Sequence, residues 1–175
     1  MKKKMLLLLI PVLVLPIAYL ILHSPNQIRQ GYKGALLGAY PEDISGMELS
    51  WEDEEDINFP KFYQRKQDNT RSADGSQHIQ YIFFDNRLYL ISMDIETLPA
   101  TDTVYTWLHN TYGAPSEGSN ALSTHQIQVW EQDHYELRVL QERLDEGNVL
   151  RYSIEYRDKN LEKEVHSYEK KRREE

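Results

Sequence analysis

Cysteine is absent from this 175-residue chain, which excludes disulfide scaffolds, zinc ribbons, thiol nucleophiles and lipidation at an N-terminal cysteine. Positive charge is also short: 20 Lys and Arg stand against 28 Asp and Glu, a formal net charge of −8. Glycine and proline number only 8 and 7 in an ordinary globular mix, so collagen-like, coiled-coil and wholly disordered readings fall away, and no internal repeat of fixed period is present. The sequence lacks a Gly-x-Ser-x-Gly elbow, a Walker loop and a dinucleotide fingerprint. The glycines of Gly31–Gly38 have neither a preceding strand nor the Lys-Ser/Thr of a phosphate loop. What remains is an ordinary globular mixture, 40% hydrophobic and 27% charged, with 12 Tyr.

The charge is unevenly placed. Residues 1–30 carry Lys2, Lys3, Lys4 and Arg29 and no acid, a net +4. Residues 31–157 carry a net −12, and residues 158–175 are neutral. Neutralising phosphates takes clustered Lys and Arg, so nucleic acid is not a partner of the acidic part.

One long apolar run is present. Met5–Leu22 comprises 18 uncharged residues, about 27 Å as a helix and just enough for a bilayer core. Lys2–Lys4 hold its N-terminal flank in the cytoplasm, because Lys and Arg translocate poorly. The run therefore predicts a single-pass inner-membrane signal-anchor at 5–22, behind a cytoplasmic basic flank at 1–4. The domain then lies in the periplasm or outside the cell. A cleaved secretory signal is the alternative, but Leu20-Ile21-Leu22-His23-Ser24-Pro25 lacks the small-residue pair of a cleavage site. A buried core helix fits worst, since the run has no polar face.

Residues 23–30 read as a stalk, 31–157 as the extracytoplasmic domain, and 158–175 as a charged helical or disordered tail. Pro41-Glu42-Asp43-Ile44 reads as a first helical turn. Six strands are expected at Lys61–Gln67, Gln77–Phe84, Arg87–Ile95, His125–Glu131, Tyr135–Gln141 and Val149–Arg157. Asp68–Ser76 and Ser116–Ser123 read as loops, and Asp85-Asn86 predicts a tight hairpin because both residues accept positive φ. In Arg87–Ile95, Leu88, Leu90 and Ser92 alternate with Tyr89, Ile91 and Met93, which suits a central strand. Thr101-Asp102 caps a helix at Thr103–Tyr112, stopped by Gly113. Its face of Val104, Trp107 and Leu108 is expected against Leu88, Leu90, Ile127 and Val129. The fold class is therefore α+β: an antiparallel sheet of about six strands with one main packed helix.

Three segments carry a resemblance: Phe62-Tyr63-Gln64-Arg65-Lys66-Gln67-Asp68-Asn69, Tyr81-Ile82-Phe83-Phe84-Asp85-Asn86-Arg87-Leu88-Tyr89, and Tyr112-Gly113-Ala114-Pro115, followed by Trp130. In this order the chain resembles a loose group of small, mostly uncharacterised exported bacterial proteins over about 34–157. The resemblance implies an envelope domain and no active-site residue.

Candidate chemistry is sparse. The acidic run Glu52–Asp56 could draw Ca²⁺, yet its spacing fits no EF-hand, and Asp68–Gly75 has Ala73 where that loop needs glycine. A solvated acidic loop suits the run better. Histidines stand at 23, 78, 109, 125, 134 and 166; only His125 and His134, with Asp133 or Glu131, could meet across a hairpin to hold a metal. Tyr63, Tyr81, Phe83, Tyr89, Trp130, Tyr152 and Tyr156 read as strand packing, the alternative being an aromatic sheet face that binds a peptide, glycan or partner protein. In the tail, Leu161, Val165 and Tyr168 form a narrow stripe, of either a frayed helix or a partner-docking one. No catalytic, cofactor-binding or metal residue is assigned. The expectation is a non-catalytic, membrane-anchored binding or accessory domain with an envelope protein or peptide as partner. An envelope hydrolase with scattered site residues and a structural subunit of an envelope complex are the alternatives.

Overall fold

Alternation of apolar and polar residues draws the main strands. In the computed structural model, which describes residues 28–56, 58–72, 75–99, 102–118, 125–144 and 149–174, the C-terminal strand buries Leu150, Tyr152, Ile154, Tyr156 and Asp158 on one face. The residues between them turn to the other face, as the period of two requires. The apolar run 5–22 lies outside the described residues. Among those described, no helix is long and apolar enough to cross a membrane.

In chain order the elements are β1 (Glu48–Trp51), β2 (Lys61–Gln64), β3 (Thr70–Ser72), β4 (Gly75–Phe84), β5 (Arg87–Thr97), α1 (Val104–Tyr112), β6 (Glu117–Gly118), β7 (His125–Gln132), β8 (Tyr135–Leu144), β9 (Val149–Asp158) and α2 (Lys159–Glu174). The strands form one antiparallel sheet in the order β1-β2-β4-β5-β9-β8-β7-β6, with β3 paired on β4. The α+β class holds, with nine strands among the described residues where about six were expected. The additions β1, β3 and β6 are two to four residues long, too short for a period to show. The strand expected to run through Gln67 ends at Gln64, and Lys66–Asp68 closes a 3-10 turn instead.

One face of the sheet carries the main core. Ile79, Tyr81, Phe83, Leu88, Ile91, Met93, Leu137, Ile154 and Tyr156 pack there under α1 and the segment from Ile28 to Ile44. That segment is stitched to the start of β5, Gly38 N donating to the Leu88 carbonyl at 2.8 Å and Leu88 N to the Ala39 carbonyl at 2.9 Å. Gly31 takes φ +56°, and a Cβ there would meet the Ala35 carbonyl oxygen at 2.1 Å, so only glycine fits the turn. Ile28 is buried in this core and donates its backbone N–H to Gln132 Oε1 at 3.0 Å. The body of the domain therefore begins inside the segment read as stalk.

The parity of β5 differs from the simple alternation. Ile82 faces Leu90 and Phe83 faces Leu88, so Tyr89 is an extra residue in a β-bulge. The bulge brings Leu88 onto the core face with Ile91 and Met93 and sends Tyr89 and Leu90 to the other face. The expected packing of α1 is corrected accordingly. Val104 and Leu108 are buried beside Leu88, but Leu90 lies on the opposite face and Ile127 is exposed. Trp107 is half-buried, meeting Tyr32 edge-on at 6.4 Å. The helix start shifts by one residue: Asp102 Oδ1 accepts from Val104 N at 3.0 Å. Gly113, at φ +78°, ends α1.

The second face is covered at one end by α2. Asp158 caps it, Oδ1 accepting from Asn160 N and Leu161 N. Leu161 and Val165 are buried against Ile82, Tyr89 and Leu90. Burying two such side chains contributes about 1.5–3 kcal/mol each, which holds the helix on the sheet instead of leaving it frayed.

Candidate binding surface at the β1 edge

The registers line up Trp51, Phe62, Ile82 and Leu90 in one row across β1, β2, β4 and β5. The row runs from the apolar ground beneath α2 out to an open edge. Trp51 stands edge-on to Phe62 at 5.3 Å and to Phe59 at 6.0 Å, and Phe84 tilts against Tyr168 at 5.6 Å. β1 is the last strand of the sheet on this side among the described residues, and all four of its residues are exposed. Leu49 is 46% exposed and Trp51 49%. Ser50 forms a bulge, its hydroxyl donating to the Phe62 carbonyl at 2.9 Å.

The acidic run Glu52–Asp56 borders this edge and is only partly solvated. The Tyr168 hydroxyl donates to Asp56, and Arg172 pairs with Asp53 at 3.2 Å and Asp56 at 3.3 Å while standing over the Phe59 ring. The Tyr168 hydrogen bond, aided by Arg172, holds the Asp56 carboxyl below the usual carboxylate range. Glu52 pairs with Lys61 at 2.9 Å. Glu54 and Glu55 are exposed and form no ion pair among the described residues. Between α2, this loop and the β4–β5 hairpin lies a cleft of about 590 Å³, walled by Phe59, Phe84 and Tyr168 and rimmed by Asn58, Lys61 and Asn86. The hairpin residues Asp85 and Asn86 take φ 50° and 55°, as their sequence predicts.

A second ionic cluster is structural. Arg65 and Asp68, three residues apart around the 3-10 turn, join at 2.6 Å, and the Tyr81 hydroxyl donates to the same carboxylate oxygen. Arg65 also reaches the carbonyls of Tyr32 and Lys33, and Lys33 Nζ stands 3.6 Å from Asp68. Arg65, Asp68 and Tyr81 are all buried, so the cluster pins the N-terminal segment and meets no ligand.

The conceivable metal site is not assembled. His125 faces Glu142 at one end of β7, while His134 sits in the turn beyond its other end, near Asp158. Seven residues of strand separate them by more than 20 Å, roughly 3.3 Å per residue. Among the described residues, no group of three metal-ligating side chains comes together. Six of the seven strand aromatics named from sequence, Tyr81, Phe83, Tyr89, Trp130, Tyr152 and Tyr156, are buried, and Tyr63 is half-buried. Trp51, exposed as are Tyr40 and Tyr105, stands directly before an acidic run and gives no periodic signal.

Comparison with protein families, with curated proteins and with solved structures finds no match. The chemistry of the surface therefore carries the functional assignment.

Proposed function

We propose that the chain is a non-catalytic binding or accessory domain of the bacterial cell envelope. Residues 5–22 tether it to the inner membrane, with the N-terminus in the cytoplasm and the domain in the periplasm or outside. It takes its ligand at the β1 edge. The exposure of Leu49 and Trp51 on a terminal strand carries this reading. An edge strand offers unpaired backbone groups, and proteins blunt it with short length, bulges, charged side chains or Pro. β1 is short and bulged, yet it exposes Trp51, which continues the aromatic row through Phe62, and Leu49, which stands opposite Tyr63 on the other face. Exposed apolar ground of that kind marks an interaction site.

Site-specific photocrosslinking in intact membranes tests the proposal. A crosslinking residue at Leu49 should trap a discrete species, whereas one at exposed Arg138, on the far side of the sheet, should not. Trp51→Ala should weaken the Leu49 crosslink at least tenfold and leave the fold intact, since half of the ring is in solvent. Equal crosslinking at the two positions, or none at Leu49, would remove the basis for the site.

A further inference from the structure

We infer that the β1 edge receives an extended cationic peptide segment, which joins the sheet as an added strand outside β1. The inference rests on the reading of this edge as the binding site and supplies the class of partner.

Shape comes first. β1 is terminal in the sheet among the described residues and exposed along its whole length. Main-chain pairing at such an edge gives affinity, and alternate side chains give selectivity. Four residues of strand present about 13 Å of edge, so the complementary segment is about four to six residues long. Trp51 on one face and Leu49 on the other offer the apolar side chains of an added strand a surface to cover. A Lys or Arg alongside them can lie over the indole face.

Charge decides the sign of the partner. Three cations beside the edge are engaged, Lys61 with Glu52, Lys66 with Glu48, and Arg172 with Asp53 and Asp56, while Lys170, Lys171 and Arg173 stand exposed on the last turns of α2. Glu54 and Glu55 are left over, and both are exposed. Behind them lies a domain whose residues 31–157 total −12, a field that draws cations toward the edge and repels anions. Pairing of two copies through β1 would bring the two Glu54-Glu55 pairs and both acidic domains together, so the charge that favours a basic peptide opposes a second copy.

The test uses the full chain in phosphatidylcholine nanodiscs. The probe is a fluorescent ten-residue peptide in which Lys alternates with Val or Thr. Two further peptides carry Glu for every Lys, or Pro for every second Val or Thr. By fluorescence anisotropy the Lys peptide should bind, and the Glu and Pro peptides should bind at least tenfold more weakly. Glu54→Lys with Glu55→Lys should weaken the Lys peptide at least tenfold, with near-UV circular dichroism unchanged because neither side chain packs on the domain. Equal binding of the Lys and Pro peptides would reduce the effect to charge attraction and overturn strand addition. Self-association abolished by Trp51→Ala would assign the edge to a second copy and overturn it too. Failure of the Lys peptide with the Leu49 crosslink retained overturns the cationic partner and leaves the binding domain standing. Loss of both overturns both.

Discussion

Replacing Arg65 with Met would strand a carboxylate inside the domain. The side chains of Arg65 and Asp68 are 6% and 1% exposed, and their 2.6 Å pair is the strongest neutralising contact that Asp68 makes. Removing one partner of a buried ion pair costs about 3–5 kcal/mol, because the remaining charge keeps its desolvation penalty. Here the Tyr81 hydroxyl still donates to Asp68, and Lys33 remains 3.6 Å away, although its own side chain is 55% exposed. These contacts place Arg65→Met at the low end, near 3 kcal/mol. In a domain of about 150 residues each kcal/mol moves the melting temperature by about 2–4 °C, so a fall of roughly 6–12 °C follows. The chain from residue 26 onward contains every contact involved and suits calorimetry. Adding Asp68→Leu to Arg65→Met removes the stranded charge and should recover more than half of the loss. A shift under about 2 °C, or a double variant no more stable than the single, would refute the account of the pair as a buried pin.

Other outcomes follow from neighbouring features. Leu108→Ala should cost about 2–5 kcal/mol, and half-buried Trp107→Ala less than the roughly 3–5 of a fully enclosed aromatic, as urea unfolding would show. Burial pushes the Tyr89 hydroxyl up to about 12 and raises those of Tyr81, Tyr152 and Tyr156 further. Their contribution to stability is complete below about pH 10 and is lost as pH rises through the folded values. Absorbance at 295 nm should therefore finish in a cooperative alkaline unfolding step, not in a smooth titration. Asp56 has the opposite sign: its lowered carboxyl supports α2 above the ordinary carboxylate range and releases Tyr168 as pH falls through the folded value. Hydrogen exchange at pH 2–3, corrected for intrinsic rate, should show the last turns of α2 opening before Leu161, and Tyr168→Phe should produce the same opening at neutral pH. Under the proposed orientation, with Lys2–Lys4 on the cytoplasmic side, protease added to spheroplasts should digest the domain and spare the membrane stub; a protected domain would contradict the orientation.

The sheet was legible wherever a strand was long and one-sided. Leu150, Tyr152, Ile154 and Tyr156 announce β9, whereas Leu161 and Val165 read only as the stripe of a frayed or partner-docking helix, and their seat on this sheet shows first in the structure. Alternation misled in β5, because one bulged residue at Tyr89 inverts every face assignment before it, and sequence shows no bulge. The Arg65–Asp68 pin was hidden for a different reason. Charged residues in a polar stretch read as surface, and only a 3-10 turn beneath Tyr81 makes them interior. The proposed binding surface was hidden because β1 borrows its order from β2: four exposed residues have no pattern of their own, and Trp51 acquires meaning only when Phe59 and Phe62 are beside it.

The burial of Ile28 bears on how far the domain can roam. With its backbone N–H fixed to Gln132, only residues 23–27 separate the apolar run from the folded body. Five residues span at most about 18 Å. Anchored through 5–22, the domain would explore a thin layer above the bilayer, so its encounters with neighbouring membrane proteins become a two-dimensional search. Confining the domain and a partner of the same membrane to one thin layer raises their effective concentration above that in free solution. A four-residue edge then needs only weak intrinsic affinity to stay occupied, and the same contact would fall apart once either partner left the membrane.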